Sequence, residues 1–179
     1  VGALMQVIAA TLALKLAEQG KINLDRRLSD YVAVLPPGTV PDATLRHCLT
    51  HTAGDDPPGT VFRYDAARFA VIGAAVTVAT GRTFADMVDA RVLDPLHMTS
   101  SEPHYSGAPL RRLDIGPARL YRVGEGSSAV PVGYPQVEPD GSGGLISTVI
   151  DLARFDSALD EGRMLMAESR AAMVSTATT

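Results

Sequence analysis

Residues 1–14 form an apolar run whose only polar side chains are Gln6 and Thr11, and Lys15 ends it. A bilayer span needs about 20 apolar residues, so the run is too short to be one. No basic segment precedes it, as a secretory signal would require. The remaining solution is a core helix over residues 1–19. It is apolar on nearly every side at first, then amphipathic with Lys15, Glu18 and Gln19 outward. Such a helix must be wrapped by several other elements, and Leu4, Val7, Ile8, Leu12, Leu14 and Leu16 are expected to make it the most buried of all. Gly20 stands where a helix stop is expected.

The rest of the chain can supply a wrapping. It has 179 residues, 46% apolar and 20% charged, the composition of one globular domain. Lys plus Arg number 16 and Asp plus Glu 20, for a net charge of −4, with no basic block to neutralise a phosphate backbone. Nucleic acid is therefore not an expected partner. Cys48 is the sole cysteine, which excludes an internal disulfide and a Cys-rich zinc site.

Further helices are expected at 45–50, capped by Thr44, and at 66–80, ended by Gly81. Asp25 is expected to cap a short helix through residue 31. Thr83 and Asp86 fit a capping box with Asp for Glu, opening a helix to about 92 before Asp94-Pro95 breaks it. Ser147 or Thr148 caps one over 149–159, and 168–174 reads as the last. Only 118–123 and 129–132 look strand-like, and 140–144 is a glycine-rich turn. The chain is thus mainly α, with more apolar helix surface than its helices can cover. A sheet is the expected missing cover, which makes residues 1–179 a single domain incomplete at both ends.

Five segments in order resemble one family. Residues 14–25, Leu-Lys-Leu-Ala-Glu-Gln-Gly-Lys-Ile-Asn-Leu-Asp, resemble its "LxLVEQGKLxLD". Residues 45–54 are similar to "RHLLTHTSG", 58–66 to "PGTxFxYSN", 94–99 to "DPLGMxxT", and 143–155 to "GGLxSTxxDLARF". The family is the serine β-lactamase-like hydrolases: class C β-lactamases, penicillin-binding-protein-like peptidases and family VIII esterases. The resemblance implies the helical part of a β-lactamase/transpeptidase-like α+β fold, most of whose sheet strands lie outside these residues. It implies acyl transfer through a serine on ester, amide or β-lactam-like small molecules, with no cofactor or metal. A partner chain could cover the missing sheet.

The same alignment points to a degenerate site. In the family a Ser and a Lys three residues apart share one face of a helix start, and the Lys or a Tyr activates the serine hydroxyl. Those positions fall on Ala3, which has no oxygen, and Gln6, a neutral amide that cannot act as a base. The Y-x-N triplet reads Tyr64-Asp65-Ala66, so Tyr64 remains and Ala66 replaces the Asn. Gly143 and Gly144 fall where the family lines its cleft. No K-T-G or H-x-G follows residue 144. Losing such a nucleophile–base unit costs on the order of 10⁶ in rate in a well-studied serine hydrolase. The expected function is that of a hydrolase fragment or degenerate copy, or else a non-catalytic binder of a ligand or partner. Ala3, Gln6 and Tyr64 are expected to converge.

Other patterns have simpler explanations. Cys48 and His51 could form a dyad, but Cys48 sits at a family Leu position and reads as a buried hydrophobe. His47 and His51 have metal-ligand spacing yet match the family string. Asp55-Asp56 reads as a solvated loop, 141–144 as a turn, and Met164 and Met166 as core.

Overall fold

The computed structural model describes residues 2–55, 57–103, 111–112, 118–133 and 138–175. The first helix, α1 (Leu4–Glu18), is its axis. Nine of the fifteen residues are buried, and Met5, Ile8, Ala9 and Leu12 have no exposed surface. Gly20 and Lys21 close it, with amide N–H groups returning to the Ala17 and Leu16 carbonyls at 2.9 Å, the double bond of a Schellman stop. Around α1 pack α3 (Ala70–Thr80), α4 (Phe84–Val88) and α6 (Ala167–Val174). The short α2 (Leu45–Leu49) packs on α3, and α5 (Val149–Asp160) follows the glycine-rich turn. Not every apolar residue of α1 is covered: Leu4 is 50% and Val7 37% exposed.

The caps follow the side-chain chemistry. Thr44 and His47 cap α2 reciprocally, Thr83 accepts from the Asp86 amide, and Thr148 accepts from the Asp151 amide. Asp25 is a correction. It caps nothing and instead pairs with Arg46 through both carboxylate oxygens, at 2.7 and 2.9 Å. The reason is the backbone next door: Arg27 is extended and bridges Thr44, so only a 3-10 turn, Leu28–Asp30, can form. The helix expected to end near residue 92 passes after Val88 into a π turn, Asp89–Leu93, which turns Val92 and Leu93 inward.

The strands are short. β2 (Leu120–Val123) and β3 (Ala129–Val132) make an antiparallel hairpin near the expected places. A second pair was not foreseen: β1 (Glu102–Pro103) joins β4 (Leu145–Ile146). The turn over 140–144 lies against the start of α3. A Cβ on Gly141 would fall 2.0 Å from the Phe69 carbonyl oxygen, so only glycine fits. Gly144 has φ +89°, and a Cβ there would fall 2.7 Å from Pro139 Cα. Met166 is a second correction: it is 60% exposed, because its place before α6 commits its backbone amide to the Glu18 carboxylate at 2.8 Å. Met164 is buried as expected. Among the described residues no single helix is long and apolar enough to cross a membrane.

Candidate active site

Ala3 and Gln6 occupy the first turn of α1, where the Gln6 amide donates to the Ala3 carbonyl at 3.0 Å. The Gln6 side chain is buried and its Nε2 donates to the Tyr64 hydroxyl oxygen at 2.9 Å, across 58 residues of sequence. Ala3 and Gln6 both line a cleft of about 580 Å³. Tyr64, 56% exposed, stands beside it through its contacts with Gln6 and His51. Ala66 begins a 3-10 turn, Ala66–Phe69, that leads into α3, and it lies outside the cleft wall. Gly143 and Gly144 also lie outside it, in the turn that packs over Phe69.

Tyr64 is held by a relay of His51, Asp65 and Arg68, in which only His51 stood out from the sequence. His51 has φ +55°, a left-handed conformation that is strained for a side chain branching from Cα. Its ring lies 4.7 Å from Tyr64, 4.9 Å from Phe69 and 5.6 Å from Phe62. The Asp65 amide donates to His51 Nδ1 at 3.3 Å. The Asp65 carboxylate caps the following 3-10 turn and faces the Arg68 guanidinium at 3.5 Å. Arg68 is only 5% exposed, donates to the Gly38 carbonyl at 2.9 Å, and lies so close to Gly54 that a Cβ there would sit 2.7 Å from its Nη2. It therefore ties two loops to the segment that presents Tyr64. An arginine inside an otherwise apolar helix start was the available signal.

The Cys48–His51 dyad does not form. Cys48 is fully buried, its thiol donates to the Arg68 carbonyl at 2.9 Å, and burial pushes its pKa up to about 12. His47 spends its Nδ1 on the Thr44 amide. Asp55 pairs with Arg63 at 2.8 Å, and Asp56 lies outside the described residues.

Burial lowers the pKa of both His47 and His51, with Asp25 and Asp65 respectively pulling the other way. An unfolded imidazole titrates near 6.5. As pH falls through that value the unfolded chain takes up protons that the folded chain refuses. This contribution to stability is therefore full above about pH 7 and is lost progressively as pH falls below about 6.5. Thermal melts across that window are expected to show a falling Tm. His47→Gln keeps a capping partner and should flatten part of the slope. A pH-independent Tm would contradict the neutral assignment.

A buried axial helix wrapped by shorter helices, a Tyr that meets its first turn from a distant loop, and flanking short strands define the helical part of the β-lactamase/transpeptidase fold. The chain belongs to the beta-lactamase family, whose model matches residues 2–179. It is 28% identical over 216 residues to penicillin-binding protein 4 of Amycolatopsis lactamdurans, covering 96% of this chain and 55% of that protein. It is 26% identical to the penicillin-binding-type protein PbpX of Bacillus subtilis (strain 168), covering 94% and 48%. The chain thus spans about half the length of these curated relatives. A D-stereospecific amidohydrolase from a Streptomyces species has the same fold, with TM-score 0.81 and 22% identity over 98% of this chain and 64% of that one.

Proposed function

We propose that this chain is a degenerate member of its serine-hydrolase family, which keeps the cleft and its Tyr but lacks the acylation chemistry. The observation that carries this reading is the Gln6–Tyr64 hydrogen bond at 2.9 Å. The position that in active relatives holds a basic Lys here holds an amide that donates and cannot take a proton. One turn earlier, Ala3 offers a methyl group where acyl transfer needs an oxygen. The residual function is binding: a small ester, amide or β-lactam-like molecule enters the cleft and leaves unchanged. The half-exposed Leu4 favours a second reading, in which a partner chain seats on the outer face of α1.

Intact-mass spectrometry after incubation with a penicillin or a fluorophosphonate tests the reading. The chain is expected to keep its unmodified mass. A stoichiometric gain would overturn the proposal, and peptide mapping to Tyr64, Cys48 or Ser142 would then name the nucleophile.

A further inference from the structure

His51 grips the segment that presents Tyr64 at two points. Its backbone carbonyl accepts from the Arg63 amide at 2.8 Å, and its ring Nδ1 accepts from the Asp65 amide at 3.3 Å. Asp65 is extended, with φ −149° and ψ +106°. Amides two residues apart on an extended segment leave the same edge, where a neighbouring strand would offer two carbonyls. His51 offers one carbonyl and uses an imidazole nitrogen as the second acceptor. It does so from a left-handed backbone, φ +55°, which His and Asn adopt more readily than most residues. Tyr64 lies between the two gripped amides. Its ring is 4.7 Å from that of His51, and its hydroxyl accepts from Gln6.

The segment has little packing of its own to hold it. Val61, Phe62 and Tyr64 are 43%, 67% and 56% exposed. The grip also depends on a proton, because an imidazole accepts at Nδ1 only while that nitrogen carries none. A protonated ring would set one N–H against another and leave the Asp65 amide without its acceptor. The charged and titratable groups around the ring are Tyr64 and Asp65 on the gripped segment and Arg68 on the following 3-10 turn. Arg63 is paired with Asp55. On α2, Arg46 is engaged by Asp25, His47 by the Thr44 amide and Cys48 by the Arg68 carbonyl.

We infer that His51 is a proton-gated clamp: the neutral ring holds residues 63–65, and with them the Tyr64 hydroxyl at Gln6, and the protonated ring releases them. The inference concerns how Tyr64 is positioned and stands whether or not the chain acylates. Its direction with pH follows from the surroundings. Burial holds the ring below the ordinary imidazole value, with the Asp65 carboxylate pulling it up and Arg68 pushing it down. A released ring in water titrates near 6.5. The clamp is therefore closed above about pH 7 and loosens as pH falls below about 6.5.

NMR of the 179-residue chain carrying ring-labelled tyrosine tests this, the Tyr64 signal being the one absent from Tyr64→Phe. From pH 7.5 to 5.0 the Tyr64 signal is expected to titrate with the midpoint of the His51 imidazole. The Asp65 amide should lose ~10-fold of its hydrogen-exchange protection, a larger loss than any amide of α3 shows. His51→Asn supplies an oxygen that accepts without titrating, on a residue that tolerates the left-handed backbone. It should keep Tyr64 in place and abolish the pH response. Should that variant fail to fold, the ring nitrogen shifts of His51 decide: Nδ1 must be unprotonated at pH 7.5 and gain its proton as the Tyr64 signal moves. A Tyr64 signal indifferent to pH, the same response in His51→Asn, or a proton on Nδ1 at pH 7.5 would each overturn the inference. A covalent mass gain would overturn the degenerate reading instead and leave the clamp standing.

Discussion

Leu12→Ala is expected to lower the unfolding free energy by ~2–5 kcal/mol, the range for truncating a buried leucine. Leu12 is fully buried at the middle of α1, a helix that touches α3, α4 and α6 at once. Neighbours on several helices cannot all move inward, so the cavity stays open and its full cost is felt. In a domain of this size the loss corresponds to a Tm fall of roughly 5–20 °C. Leu4→Ala is the internal control: Leu4 is on the same helix with the same chemistry, but half its surface is in water. Its loss should stay below about 1 kcal/mol. Urea melts of both variants measure the contrast. Equal losses would mean that α1 is not the axis of the domain.

Local rules made much of the fold legible. The extent of α1 followed from the apolar run and Gly20, and the caps at Thr44, Thr83 and Thr148 followed from hydroxyl chemistry within four residues. What escaped depends on distant partners. Asp25 has the side chain of a cap, but Arg46 lies 21 residues away and captures it. The β1–β4 pair unites two-residue segments more than 40 residues apart, too short to show periodicity. Met166 looked like core because methionine usually is, while its exposure follows from the placement of α6.

The site divides the same way. The family resemblance pointed to Ala3, Gln6 and Tyr64, and the fold brings Gln6 to Tyr64. The residues that hold Tyr64 in place, Arg68 and Asp65, act through tertiary contacts with Gly38, Gly54 and His51 that no local pattern encodes. The cleft is likewise a tertiary feature, since Met173 reaches its wall from a segment more than 100 residues from Phe69.

Restoring the lost pair, Ala3→Ser with Gln6→Lys, is expected to leave this chain without turnover of nitrocefin or a p-nitrophenyl ester above that of the unmodified chain. In a well-studied serine hydrolase the nucleophile and its base act as a unit worth on the order of 10⁶ in rate. Here the unit would be rebuilt without its surroundings. Ala66 stands where the family carries an Asn, so a side-chain amide beside Tyr64 would still be missing. These 179 residues also contain neither a K-T-G nor an H-x-G, the motif that the family places opposite the serine. Stabilising the oxyanion is usually the largest catalytic contribution, and a single lost donor costs ~10²–10³ in kcat. The new Lys would meet a further obstacle. It must reach the serine hydroxyl in its neutral form, yet the side chain at position 6 now bonds the Tyr64 hydroxyl, which would accept from the charged ammonium as it accepts from the amide. Stopped-flow hydrolysis and intact-mass measurement of the double variant decide the matter. A rate rise above ~10²-fold, or a stable acyl adduct on residue 3, would show that the helical part alone carries more of the catalytic machinery than this geometry supports.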